Sequence, residues 1–234
     1  MLPENRGAMK LLAFDTSTET LSIAVSDGVR LWQHSGAGGA QASATLIPAI
    51  QSLMSQAGLR LDELDVIAFG RGPGSFTGLR TACSVAQGLA FGAGVSVLPI
   101  DTLLAVAEEA REQQGATRVL ALLDARMDEI YLARYEYQGG QWRRDGDCGL
   151  IRPEDLALEP GWILAGNAFA AYGERLPAGS RVEALPTAAA LLRLAPGLLA
   201  AGQAVRADQA LPLYIRDKVA KTTAERAAEK ALIP

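Results

Sequence analysis

Residues 11–25, LLAFDTSTETLSIAV, lie over residues 120–134, LALLDARMDEIYLAR, without a gap. The match sets Asp15 on Asp124, Leu21 on Ile130 and Ile23 on Leu132. Each copy reads as an apolar strand, an Asp, a tight connection and a strand of alternating apolar residues. The surroundings repeat as well. Strand patterns at Lys10–Asp15, Leu21–Ser26 and Val29–His34 precede a helix over Ala42–Ala57, a strand at Val66–Phe69 and a helix over Ser75–Phe91. A short strand at Val95–Pro99 and a helix capped by Asp101, running to about Gln113, complete the first set. The second set has strands at Arg118–Leu123, Glu129–Tyr137 and Gln141–Cys148, then shorter pieces at Trp162–Leu164, Asn167–Tyr172 and Thr187–Ala201. One element order met twice predicts two related α/β lobes, each a mixed sheet flanked by helices. We place the first lobe at 9–105 and the second at 106–234, with a C-terminal helix that can pack back on the first; residues 1–8 read as a loose tail.

Bulk properties narrow the function. The chain has 234 residues, 49% of them hydrophobic, yet no apolar run reaches the ~18 residues of a membrane span. Its start, MLPENRGAMK, lacks the apolar stretch of a signal peptide, so a cytoplasmic protein is expected. Cys83 and Cys148 stand outside any CxxC spacing and read as reduced thiols. With His34 as the lone histidine, a zinc ligand set is out of reach and no metal is expected. A net charge of −4 argues against a dedicated nucleic-acid surface. The C-terminal Arg216, Lys218, Lys221, Arg226 and Lys230 are the local exception; interleaved with Asp217, Glu225 and Glu229, they read as a solvated helix with paired charges, and direct nucleic-acid binding through this stretch is the alternative.

Between the two copies lies DVIAFGRGPGSFTGLR, Asp65 to Arg80. An apolar strand ends here in Gly72-Pro73-Gly74, and a helix follows from Ser75. Two readings are open. Donors at a helix N-terminus after a Gly-rich turn can hold an anion. Alternatively the segment is a rigid turn: Ser75 caps the helix, Gly72 and Gly74 take conformations closed to alanine, and Arg80 pairs with a carboxylate or backbone carbonyls. It lacks the Gly-Lys-Ser/Thr ending of a P-loop and does not fit the dinucleotide fingerprint.

Read as whole strings, GRGPGSFTGLR and AFDTSTETLSIAV closely resemble the bacterial TsaB (YeaZ) family. The resemblance runs from about Leu11 to about Ala133 and continues weakly to the YIR at Tyr214. It implies the duplicated fold of actin, hexokinase and Hsp70-like ATPases. It also implies a subunit of the machinery that makes threonylcarbamoyladenosine in tRNA. Such a subunit is a non-catalytic scaffold that binds the transferase TsaD, with the ATPase TsaE joining, forms a homodimer in isolation and meets tRNA only through the complex.

In active members of that fold, an Asp-x-Gly-Thr/Ser hairpin in each lobe faces the phosphates of ATP, because glycine lets backbone N–H groups approach the anion. Here the first hairpin reads Asp15-Thr16-Ser17-Thr18 and the second Asp124-Ala125-Arg126-Met127. Hydroxyls remain in the first; Arg126 could neutralise a phosphate, but Met127 fills the space. We therefore expect degenerate hairpins at Asp15, Thr16, Asp124 and Arg126, no catalytic residue and no cofactor. TsaD holds its metal with histidines on the helix after the first lobe, whereas the helix from Pro99, running LLAVAEEA from Leu103, has none. Gly166-Asn167 falls where the fold's adenosine-contacting loop would lie; a strand-to-helix turn with Asn167 as cap explains it equally. The alternatives are an ATP-dependent kinase or a metal-dependent glycoprotease of the same fold.

Two helices have more apolar surface than one sheet needs. Leu46, Ile50, Leu53 and Met54 form a wide stripe on the first, where Pro48 lies in the opening turn or kinks the helix. Gly78, Ala82, Cys83, Ala86 and Ala90 mark a small-residue row on the second. In the resembling family these helices pair with a second copy or with TsaD, so the nine residues are expected at a partner interface. Packing inside the lobe is the competing reading. Ala42 stands where the family often has a histidine.

Overall fold

A computed structural model of the chain describes residues 9–216. The C-terminal helix expected beyond Arg216 and the tail at 1–8 lie outside the described residues. Strands β1 (Leu11–Asp15), β2 (Thr20–Ser26) and β3 (Leu31–Ala37) form an antiparallel meander. Helix α1 (Ala42–Ala57) leads to β4 (Val66–Gly72), α2 (Phe76–Ala93), β5 (Ser96–Asp101) and α3 (Thr102–Gln114). A second meander follows: β6 (Arg118–Asp124), β7 (Ile130–Gln138) and β8 (Gln141–Ile151). The chain continues through β9 (Ile163–Gly166), α4 (Phe169–Tyr172), β10 (Arg181–Glu183) and α5 (Ala188–Ala200).

The first sheet has the order β3-β2-β1-β4-β5 and the second β8-β7-β6-β9-β10. The two orders correspond strand for strand. In both, the central strand is antiparallel to the meander on one side and parallel to the crossover strand on the other. The crossover strand in turn runs parallel to the last. This is the duplicated actin/hexokinase/Hsp70-like ATPase fold, with two lobes of mixed sheet and flanking helices. No described helix is long and apolar enough to cross a membrane.

Both faces of the first sheet are covered at β1 and β4, which is why these strands read as nearly continuous apolar runs, while the edge strand β3 stays mostly exposed. Leu12, Phe14, Ile23, Ile67 and Phe69 meet α1 and α2 on one face. Leu11, Ala13, Ala24, Val66 and Ala68 meet Ala188, Leu191 and Ala195 of α5 on the other. Helix α3 crosses in the opposite direction. Its Leu103, Val106, Ala107 and Ala110 pack on Val119, Ala121 and Leu123 of the second sheet. Each sheet is therefore closed by the helix that ends the other half of the chain, and a boundary at 105 falls inside α3. The Ser22 hydroxyl on β2, accepting from the Ala188 N–H at 2.9 Å, pins the start of α5 to the first lobe.

Several local expectations differ. Strand β10 was not read from the sequence, α4 is a single turn, and the β8–β9 link holds only a short 3-10 turn at Pro153–Asp155 where the first lobe has α1. Asp101 precedes α3 without capping it; its carboxylate accepts from Arg71 Nε at 2.6 Å and Arg144 Nη1 at 3.3 Å. Pro48 lies inside α1 beyond its first turn, where it leaves the Ala44 carbonyl without its usual donor on an exposed side.

Candidate functional site

The two Asp hairpins face each other across the inter-lobe cleft, an opening of about 330 Å³ with Ser17, Ser75, Asp124, Arg126 and Tyr214 in its walls. In the first lobe, Asp15 does not reach that space. It is fully buried at the end of β1, and its Oδ1 accepts from the Ser17 N–H at 2.8 Å and the Ser17 hydroxyl at 2.6 Å. Its Oδ2 has no hydrogen-bond partner among the described residues. Burial pushes the Asp15 pKa up to about 6 against the opposing bonds from Ser17. Only a glycine fits beside it: a Cβ on Gly70 would stand 1.7 Å from Oδ2.

The start of α2 sits directly on this hairpin. The Ser75 N–H donates to the Ser17 carbonyl at 2.8 Å, and the Thr16 hydroxyl donates to the Gly78 carbonyl at 2.7 Å. A Cβ on Gly78 would lie 1.9 Å from the Thr16 carbonyl oxygen, and one on Gly74 2.6 Å from that of Ser17. Gly72 alone in the Gly72-Pro73-Gly74 turn has a left-handed backbone, φ 118°. Gly74 is thus required by proximity and not by dihedral angle, which corrects one expectation. Ser75 corrects another, since its side chain does not cap α2.

In the second lobe the carboxylate is partly solvated and fully engaged. Asp124 Oδ1 accepts from the Arg126 N–H at 2.7 Å and the Tyr172 hydroxyl at 2.9 Å, while Oδ2 pairs with Arg126 Nη1 at 3.2 Å. Burial, followed by Asp124 itself, pushes Tyr172 up to about 12. Arg126, Met127 and Asp128 run consecutively through the left-handed region at φ 60°, 56° and 61°. Arg126 also crosses the cleft to Glu19 at 3.2 Å. Asn167 does not cap α4; its Oδ1 accepts from the Asp124 N–H at 2.9 Å. At φ 147°, Gly166 approaches β6 so closely that a Cβ would lie 1.7 Å from the Leu122 carbonyl oxygen. Strand contact accounts for this glycine.

A strap closes one side of the cleft. After α5 the chain bridges Val205 to Val97, the Ala210 carbonyl accepts from Gln87 Nε2 at 2.8 Å, and the Leu213 N–H donates to the Arg71 carbonyl at 2.7 Å. Tyr214 stacks on Phe76, its ring centroid 5.2 Å away. Arg80 donates from Nε to the Tyr214 hydroxyl at 3.2 Å and lies 4.1 Å over the Phe76 ring. Among the described residues it thus pairs with neither carboxylate nor carbonyl, contrary to expectation. At the far end Arg216 pairs with Glu129 of the second lobe.

The nine residues assigned to a partner interface face inward. Leu46, Ile50, Leu53 and Met54 of α1, and Gly78, Ala82, Cys83, Ala86 and Ala90 of α2, are all buried within the chain. Small side chains on α2 let it approach the first sheet and its hairpin, not a second molecule. The outward ridges carry different residues: Ala44, Ile47, Pro48 and Gln51 on α1, and Thr77, Ser84, Gly88, Phe91 and Gly92 on α2. Phe91 is 83% exposed, and nothing lies within 4 Å of a Cβ built on Gly88 or Gly92. The four-residue spacing Ser84, Gly88, Gly92 is the signal in the sequence that marks this outer row.

Comparison with known proteins agrees with this architecture. The family described as "TsaD: tRNA N6-adenosine threonylcarbamoyltransferase" matches residues 38–224. The tRNA threonylcarbamoyladenosine biosynthesis protein TsaB of Escherichia coli is 33% identical, over 91% of this chain and 96% of its own. Its namesake from Haemophilus influenzae is 34% identical over 90% and 95%. The solved YeaZ from Pseudomonas aeruginosa superposes with a TM-score of 0.82 at 42% identity, over 88% of this chain and 99% of that one. With two lobes of one topology, the Asp hairpins and this likeness along nearly its whole length, the chain belongs to the TsaB (YeaZ) family of tRNA threonylcarbamoyladenosine biosynthesis proteins.

Proposed function

We propose that this chain is a cytoplasmic, non-catalytic subunit for threonylcarbamoyladenosine formation at the adenosine beside the anticodon. It acts by binding TsaD, with TsaE joining the complex, and tRNA is met through that assembly. The observation that carries this reading is the state of the two hairpins. One carboxylate is buried beneath the N-terminus of α2, the other is spent on Tyr172 and Arg126, and the Ser75 N–H already serves a backbone carbonyl. The N–H groups of Ser17, Ser75, Ala125 and Arg126 already serve acceptors within the chain, which leaves fewer bare backbone donors for a triphosphate. This counts against the kinase alternative. The glycoprotease alternative needs a ligand cluster, and among the described residues no group of three or more His, Cys, Asp or Glu side chains is placed to hold a metal.

The outer ridges of α1 and α2 supply the docking face, for TsaD in the complex and for a second copy in isolation. Ile47 and Phe91 are the large apolar groups on these ridges, and Gly88 and Gly92 leave room for a close helix. Co-purification of the chain with TsaD, followed by a modification assay with and without it, tests the reading. A Gly88→Arg variant should stay folded while losing TsaD capture and stimulation of transfer. Full stimulation by this variant would remove the ridge from the reading. Micromolar, magnesium-dependent ATP binding by the isolated chain would revive the kinase.

A further inference from the structure

A second cavity, of about 510 Å³, opens on the seam between the lobes and shares no lining residue with the cleft. Its size is that of a small-molecule site. Arg71 reaches it from the end of β4 in the first lobe and Arg144 from β8 in the second. Between them stands Asp101, accepting from Arg71 Nε at 2.6 Å with one oxygen and from Arg144 Nη1 at 3.3 Å with the other. Among the described residues, Asp101 is the sole ion-pair or hydrogen-bond partner of either guanidinium. One carboxylate therefore faces two guanidiniums, each with five N–H donors, and the trio keeps one positive charge in excess. Both arginine side chains remain 38% exposed, within reach of the cavity.

The rest of the wall is suited to an organic body. Trp142 lies beside the two arginines, its indole N–H donating to Glu108 Oε2 at 2.9 Å, with Tyr135 and Tyr137 against it edge-on. That bond and those rings hold the indole in one orientation. Gln203 and Gln209 line the same cavity, and neither side-chain amide has a hydrogen bond among the described residues.

We propose that this cavity binds a small organic anion, its carboxylate or phosphate bridging Arg71 and Arg144 and its flat apolar body lying along Trp142. Guanidinium pairs favour such planar anions, and one anionic charge neutralises the excess. Since the arginines come from different lobes, the ligand ties the lobes together. The site is independent of the scaffold role proposed above.

Calorimetric titration with 1-naphthyl phosphate and 1-naphthylacetate distinguishes the two anion chemistries on one flat body. At least one should bind with one-to-one stoichiometry and an affinity tighter than about 1 mM. Arg144→Gln should weaken it by about 10-fold or more, and Arg126→Gln, in the cleft, should leave it unchanged. If Arg144→Gln fails to fold, Leu198→Trp, which fills the cavity from α5, should abolish binding in its place. Failure of both probes to bind, or binding that both Arg144→Gln and Leu198→Trp leave intact, overturns the site. TsaD capture by the same variants should be unaffected, so this proposal and the scaffold reading fail separately.

Discussion

The two Asp hairpins began as one structure and now sit in opposite environments. In both, the carboxylate accepts from the N–H two residues on, Ser17 in the first lobe and Arg126 in the second. The helix after the crossover strand makes the difference. In the first lobe it is the long α2, whose approach over Gly74–Gly78 lies on the hairpin and buries Asp15 with one oxygen unpartnered among the described residues. In the second it is the single turn α4, which brings Tyr172 to Asp124 and leaves Met127 64% exposed at the tip of a left-handed run. The strand and the Asp are what the duplication preserved; the chemistry of the carboxylate is set by what packs on it.

The sharpest test of that contrast is steric. Gly78→Ala and Gly70→Ala each drive a methyl group into the first hairpin and should lower stability by about 3 kcal/mol or more, read by chemical denaturation. Gly166→Ala, with both a backbone clash and φ 147°, should cost at least as much. Gly88→Ala, on the same helix as Gly78 but facing open space, should be neutral or stabilising by up to ~1 kcal/mol. Equal losses at Gly78 and Gly88 would break the assignment of inner and outer faces.

A smaller effect separates the carboxylates by pH. Because the folded-state pKa of Asp15 is raised from 3.8 to about 6, the native state binds this proton more tightly than the unfolded chain. Its contribution is full below pH 3.8 and is lost as pH rises through 6, a swing on the order of 3 kcal/mol. Asp15→Asn keeps an acceptor for Ser17 and removes the buried charge. Its stability relative to the parent should therefore improve from pH 4 to pH 8. A difference flat across that range would show that Asp15 is not the buried acid described here.

The smallest effect lies in the second hairpin. Met127→Gly should raise stability by up to ~1 kcal/mol, because the left-handed φ of 56° costs a side chain energy that its exposed packing does not recover. The first-lobe counterpart, Thr18→Gly, should show no gain, since Thr18 is not in the left-handed region. Thermal melts of the pair suffice.

The fold was legible because the 11–25 and 120–134 segments carry period-two patterns around the same Asp, and topology follows from element order. Strand β10 was not legible, since RVE has three residues and a single buried one, Val182, too short a run for a period to be read. Which face of α2 lies outward was not legible. Helix α2 is apolar or small on nearly every side, so periodicity alone cannot say whether Ala82 or Gly88 meets the sheet. Hairpin contact at Gly78 decides that, and it joins residues 62 apart. The partner of Arg80 lies 134 residues away at Tyr214, beyond any local pattern.

The exchange of α3 and α5 has a consequence during synthesis. When β5 has left the ribosome, the first sheet is complete in strands but has one face bare, with Leu11, Val66, Ala68 and Ile100 awaiting a helix that begins only at Ala188. Helix α3, made next, turns Ala105 to the first sheet but Leu103, Val106, Ala107 and Ala110 to strands not yet translated. The nascent first half therefore carries a largely uncovered apolar face, and a helix with its main apolar side unpaired, until the last fifth of the chain emerges. Cutting between the halves would reproduce that condition permanently: neither fragment contains its own lid, and each carries the lid of the other.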